Sequence, residues 1–297
     1  MESFFSDLAR IATLTFAVSS MLAVGFRYTI QEIVGPLRNL RLVIGAVVAN
    51  FIVVPILAYG ITRLMSFGED REIGLLVVSC AAGAPFLIKL AQMAGSDVAI
   101  ATGLLVLLLV ITVPYMPIVV PRIASEANVS AASIARPLVL SMLLPLAVGL
   151  IAAKFVPEWT NRLLPMLGSL STIALVTLVV STVLANFDEI LDVFGTGAIL
   201  AALLFIVSAF ATGYMLGITG RGTRDELALG TAQRNIAAAT VVATQSINRA
   251  DTTVMVVVTS MVSMAVLFPT AALLKRRTEL RASASTEEPS GTLEAPL

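Results

Sequence analysis

The chain has no histidine and a single cysteine, Cys80, so no disulfide closes within it and a transition-metal site would lack its usual nitrogen and sulfur ligands. Charge is scarce as well. Asp, Glu, Lys and Arg make up 13% of the residues, about half the share found in soluble domains. The 19 basic residues balance the 19 acidic ones, which leaves no bulk attraction for nucleic acid. Long polar stretches are missing before residue 278, which excludes a separate soluble domain. What is present is apolar: 58% hydrophobic residues and a mean hydropathy of +0.96, more than one water-soluble core of 297 residues can bury. The composition predicts an all-α polytopic membrane protein. At roughly 20 residues per crossing, the length allows about nine or ten spans.

Nine hydrophobic spans are expected, at about 6–26, 39–64, 72–94, 97–121, 134–156, 163–186, 196–219, 225–248 and 251–274. The first lacks a basic leader or a small-residue cleavage site and is not read as a signal peptide. Residues 1–277 form one transporter-like domain, with a first repeat at about 1–123 and a second at about 133–277; residues 278–297, rich in Ser, Glu and Pro, are expected to be a disordered cytoplasmic tail. Spans three and four resemble spans eight and nine. Each pair opens on charge (DRE at 70–72, TRDE at 223–226), continues in an unusually polar, Gly-interrupted helix, turns at Asp97 or Asp251, and ends in an apolar helix that reaches proline. Spans five apart cross in opposite directions, which is the pattern of an inverted repeat in secondary transporters.

Two segments interrupt the apolar monotony. In CAAGAPFLIKLAQ (80–92), Gly83 and Pro85 break the third span and Lys89 follows. Pro85 donates no backbone hydrogen bond, and carbonyls freed inside a bilayer need partners. In GTAQRNIAAAT (230–240), the consecutive Gln233, Arg234 and Asn235 cover most of a helix circumference, so a second break is expected near Gly230–Gln233, with Gly230 and Thr231 as the breaking residues. Arg234 sits about nine residues inside its span, where an unpaired arginine costs about 2.5–3.5 kcal/mol. Asn50, five residues before Pro55, is a third polar position in a span. The absence of histidine and of a carboxylate deep in any span argues against an intramembrane enzyme.

These segments, together with NFIVVP at 50–55 and GSDVAIATG after the first break, resemble the bile acid:sodium symporter family, part of the superfamily that includes arsenite and auxin-type carriers. The resemblance covers roughly residues 5–275. It implies a core domain of spans two to four and seven to nine, a panel domain of spans one, five and six, and two broken helices that cross in the core. It places Gln233 and Asn235 on the family's polar pair and Asn50 on a sodium-coordinating glutamine. The family's Ser-Asn pair falls on Leu87 and Ile88, and its acidic residue falls near Leu229, none of which offers a side-chain oxygen.

The resulting expectation is a secondary carrier for a small organic anion. Lys89, Gln233, Arg234 and Asn235 would meet the substrate, and Asn50 and Gln233 would be the remaining ion-binding side chains. No cofactor is expected. Na+ coupling is not expected to be strict, because Lys89 and Arg234 stand where relatives would hold the ion. A metalloid exporter using Cys80 and a non-transporting receptor are the alternatives; the lipid bilayer is the expected partner, nucleic acid is not, and nothing specifies an oligomer. Loops on one side carry six Lys or Arg and those on the other carry eleven, which places the C-terminus in the cytoplasm and the N-terminus outside a plasma or inner membrane. A reporter that works only in the cytoplasm is expected to be active when fused after Leu297. Activity only of a reporter that requires the outside would overturn this orientation.

Overall fold

The structure, a computed structural model, describes residues 2–124, 129–185, 193, 195–217 and 223–286, and these are nearly all helical. Helix α1 is Glu2–Arg27 and a short α2 is Ile30–Val34. Helix α3 (Leu40–Val48) runs through a π-helical turn at Ala49–Val53 into α4 (Val54–Leu64). Helices α5 (Glu69–Cys80) and α6 (Leu87–Ala94) are separated by a non-helical break, and α7 is Val98–Ile123. Helix α8 (Ala131–Leu138) continues through a second π turn, Val139–Leu143, into α9 (Leu144–Phe155), and α10 is Pro157–Ala185. Helix α11 is Ala198–Leu216. Then α12 (Thr223–Ala232) and α13 (Ile236–Val242, extended by a π turn at Ala243–Ile247) flank the second break, and α14 is Ala250–Thr286.

Seven of these stretches are long and apolar enough to cross a membrane, and the two broken pairs lie where the third and eighth spans are expected. Two boundaries move. The helix expected from residue 163 begins at Pro157, because a proline at the first helical position loses no hydrogen bond there. The last helix continues to Thr286, past the expected start of the tail at 278, while residues 287–297 of that tail lie outside the described residues.

Packing separates two layers. Helix α1 lies along α10 and α9, which makes the panel of spans one, five and six. Helices α4, α5, α7, α11, α12 and α14 pack on one another as the core, with α6 against α14 and α7. The π turn at 49–53 has a local cause. Pro55 cannot bond to the carbonyl four residues earlier and its ring crowds that carbonyl, so the helix widens. The freed Phe51 carbonyl accepts instead from the Tyr115 hydroxyl at 2.8 Å.

The inverted repeat is visible in how charges are exchanged. Asp70 and Arg71, at the start of α5, pair with Arg249 and Asp251 at the start of α14, the second pair at 3.4 Å. At the start of α12, the Glu226 carboxylate accepts from the Asp97 backbone N–H at 2.7 Å, just ahead of α7. Each broken helix therefore begins against the turn that precedes the other repeat's apolar helix.

The panel depends on a close crossing of α1 and α9. A Cβ on Gly25 would lie 2.8 Å from the Gly149 Cα, and one on Gly149 would lie 2.9 Å from the Gly25 Cα. Gly25→Ala and Gly149→Ala are each expected to lower stability by about 1–3 kcal/mol, the range for forced overpacking, read as a lower melting temperature in detergent. Unchanged melting in both would show that these helices do not depend on that approach.

Candidate functional site

The first break leaves a run of backbone groups without helical partners, and the second break supplies most of what they need. Ala81 to Phe86 are non-helical. The backbone N–H of Asn235 donates to the Ala81 carbonyl at 2.8 Å, and its side-chain Nδ2 donates to the Gly83 carbonyl at 2.8 Å. The Asn235 Oδ1 accepts from the Ala238 N–H at 3.1 Å, so the same side chain caps α13. Thr112 of α7 serves Ala82 twice, accepting from its N–H and donating to its carbonyl, each at 3.0 Å. Gly83 has a φ of +76°, and a Cβ there would lie 2.8 Å from the Leu105 carbonyl, so only glycine fits this bend against α7.

Arg234 fills the centre. It is 1% exposed, the largest side chain to be so fully buried among the described residues. Its Nε donates to the Val78 carbonyl at 3.3 Å and its Nη2 donates to the Ser79 carbonyl, both in the last turn of α5. Its Nη1 donates to the Thr231 carbonyl, in the last turn of α12, at 3.1 Å and to the Asn50 Oδ1 at 2.7 Å. Asn50 in turn donates from Nδ2 to the Ala46 carbonyl at 3.0 Å and to the Thr231 hydroxyl at 3.2 Å.

The electrostatics follow from this geometry. The carboxyl end of a helix carries roughly half a negative charge. Two such ends converge on the guanidinium, together about one unit, and no carboxylate pairs with it among the described residues. Hydrogen bonds involving a charged group contribute about 1.5–3 kcal/mol each, so four of them offset the cost of placing the charge in the bilayer.

The expected site residues do not all meet. Gln233, Arg234 and Asn235 lie in the second break, but they point to different partners. The Gln233 amide turns to α14, where the Ser263 hydroxyl donates to its Oε1 at 3.4 Å. Arg234 is consumed by the helix ends and presents no face to a solute. The Asn50 oxygen is held by Arg234, so it does not stand open as an ion ligand beside Gln233. Lys89 is exposed and lies apart from this cluster. The reason is the helical period: Leu87, Ile88, Leu90 and Ala91 bury the opposite side of α6, which turns Lys89 and Gln92 outward together. The break falls at the late end of the expected stretch Gly230–Gln233. Gly230 and Thr231 are helical within α12, and the chain opens only at Gln233–Asn235. Gly230 serves packing, since a Cβ there would meet Leu87 at 3.2 Å.

Reading the sequence missed Thr112, Ser263 and the Glu226–Asp97 link. Thr112 had a signal, being the one hydroxyl in the apolar run LLVLLLVITVP (104–114). Glu226 was counted with the charged start of its span, yet it is wholly buried.

A profile described as the sodium bile acid symporter family matches residues 15–193. Among curated proteins, the "probable sodium/metabolite cotransporter BASS2, chloroplastic" of Oryza sativa subsp. japonica is 26% identical over 200 residues, covering 66% of this chain and 47% of the rice protein. The "probable sodium/metabolite cotransporter BASS6, chloroplastic" of Arabidopsis thaliana is 24% identical over 218 residues, covering 70% and 53%. The chain thus spans about half the length of the curated relatives it matches.

Asn235→Asp keeps the cap oxygen of α13 but replaces the donor to the Gly83 carbonyl with an acceptor. It is expected to destabilise the fold by about 1–3 kcal/mol, the cost of an unsatisfied buried group, and Asn235→Ala by more because the cap is lost too. Melting of the Asp variant at the wild-type temperature would show that the contact between the breaks contributes nothing.

Proposed function

Because the chain belongs to the sodium bile acid symporter family, we propose that it is a secondary carrier that moves a small organic anion by alternating access of core against panel, and that it does so without a strict need for Na+. The observation that carries the second half is Arg234. A tethered guanidinium lies where two half-helix ends and the Asn50 oxygen converge, which is the arrangement of neutral oxygens a mobile cation would need. A Na+ about 5 Å from that charge would be opposed by about 3 kcal/mol at an effective dielectric of about 20, more than a hundredfold in affinity.

The names of the rice and Arabidopsis relatives include sodium as the coupled ion. This chain, as proposed, differs from those names in the coupled ion and shares with them a small solute. Metalloid export through Cys80 is the weaker reading, because the thiol is wholly buried and its contact is the Ser79 hydroxyl. Catalysis is not proposed.

In proteoliposomes, counterflow of an organic anion is expected to persist when Na+ is replaced by choline at constant ionic strength. A tenfold or larger loss would return the protein to sodium coupling. Arg234→Ala vacates the guanidinium while leaving the Val78, Ser79 and Thr231 carbonyls and the Asn50 oxygen in place. That variant is expected to melt lower than wild type in choline and to be stabilised by Na+, whereas wild type is indifferent. Identical responses of the two proteins to Na+ would defeat the assignment of Arg234 as the built-in cation.

A further inference from the structure

Two charged residues are buried among the described residues, Arg234 at 1% exposure and Glu226 at 0%, and their surroundings differ. Arg234 donates to four oxygens, whereas the Glu226 side chain has one hydrogen-bond partner. Its Oε1 accepts from the Asp97 N–H at 2.7 Å, and its buried Oε2 has no partner among the described residues. A carboxylate held away from water fills both oxygens or meets a cation, because the bare charge is far costlier to desolvate than the neutral acid.

No cation among the described residues answers this one. The charged groups that bear on it are Asp225 on its own helix and Asp97 ahead of α7, both acidic. On the helices packed against α12 the cations are engaged or turned away. Lys275 of α14 lies 3.8 Å from Glu279, and the Arg277 Nη1 donates to the Tyr214 hydroxyl of α11 at 3.1 Å. Arg224, on α12 itself, stands over the same tyrosine ring at 5.7 Å. Lys89 of α6 and Arg41 of α3 are exposed. The positive end of α12 favours a negative charge at this position, and the two acidic neighbours oppose it.

The tie also differs from its counterparts in the repeat. On the face where α14 begins, α5 is joined to α14 by two ion pairs, Arg249 with Asp70 and Arg71 with Asp251. On the face where α14 ends, a Cβ on Gly95 would lie 3.7 Å from the Lys275 side chain, and here a carboxyl group and an uncharged N–H join α12 to the turn before α7. An ion pair needs both charges. This tie needs only Oε1, which the neutral acid keeps.

We propose that Glu226 is a proton-binding site and that its proton operates a latch between the two repeats. The proton forms an O–H bond at Oε2 and leaves Oε1 accepting from Asp97. Its loss to water leaves a carboxylate, which draws water in and parts the start of α12 from the turn before α7. The site is shallow: Arg224 and Asp225 just before it are half-buried and Asp97 is exposed, so the proton exchanges through brief opening of the tie itself. The latch belongs to the core and stands whether or not a solute crosses it.

The Asp97 amide reports the latch directly. Its hydrogen exchange in detergent, divided at each pH by the intrinsic rate, is expected to be slow at about pH 5 and to quicken at least about tenfold by about pH 9, the range in which buried carboxylates give up a proton. Glu226→Gln keeps the accepting oxygen and cannot titrate, so its protection is expected to stay within about twofold. Asp97→Asn isolates the other carboxylate of the turn, whose Oδ1 accepts from the Ala99 and Ile100 N–H groups at 2.8 and 3.2 Å. Asparagine caps as well, so the pH response is expected to persist, with its midpoint lower by about half a unit because one negative neighbour is gone. Flat exchange in wild type, or a response that survives Glu226→Gln or disappears in Asp97→Asn, would overturn the latch.

Infrared spectra identify the proton's place. At about pH 6, where ordinary carboxyl groups are ionised, the carbonyl band of a protonated acid is expected in wild type and Asp97→Asn and not in Glu226→Gln. Its absence from wild type, or its persistence in Glu226→Gln, would overturn the site. If Glu226→Gln does not melt cooperatively, Asp97→Asn decides alone: a midpoint that stays or rises sinks the proposal, and a lower one supports it.

Discussion

The core of this protein depends on how two interrupted helices share their loose ends inside a membrane. Water cannot satisfy a carbonyl there, so each break is tolerable only if another part of the chain supplies donors. Arg234 and Asn235 supply several of them, from the second break to the first, and Thr112 serves Ala82 from the helix behind. The side chain that resembles an expense in an apolar span is thus the one that makes the breaks possible. Its charge is balanced by two helix ends, and no carboxylate pairs with it among the described residues.

The outer parts of the same helices are tied differently. Asp70 and Arg71 pair with Arg249 and Asp251, and Glu226 meets the backbone at Asp97. These ties join the first repeat to the second at opposite faces of the core. Together with the central guanidinium they fasten the crossing at its middle and both ends, so the crossed pair has the connections of one block. The panel is built on another principle. Helix α1 approaches α9 through Gly25 and Gly149 and lies along α10 by apolar contact, with no ion pair among the described residues linking it to the core. The core is thus cross-braced by charged and polar contacts, while the panel meets it mainly by apolar packing and by the bond from the Ser246 hydroxyl to the Ser133 carbonyl of α8 at 2.9 Å.

Much of this was legible in residue order. The apolar excess, the spacing of the spans and the Gly83–Pro85 interruption place the helices and the first break to within a few residues, because bilayer thickness and proline chemistry leave few choices. The adjacency of Gln233, Arg234 and Asn235 marks the second break for the same reason: three polar neighbours cannot all face lipid. The direction of each side chain was not legible. Lys89, about five residues from the end of its span, and Arg234, about nine residues into its own, were both expected at the site, yet one lies on the outward stripe of α6 and the other is 1% exposed.

Within the expected stretch Gly230–Gln233, Gly230 and Thr231 stay helical: glycine reads locally as a breaker, whereas here its missing side chain makes room for Leu87 from a helix 143 positions earlier. That contact is non-local, as are the bonds from Arg234 to Val78 and Ser79. Membrane class, span order and the presence of a polar centre were settled by composition and local chemistry, which act over one or two helical turns. Which oxygens face the guanidinium, and that they leave it nothing to offer a solute, was decided only when the two repeats crossed, since carbonyls belong to every residue alike and only tertiary geometry selects among them.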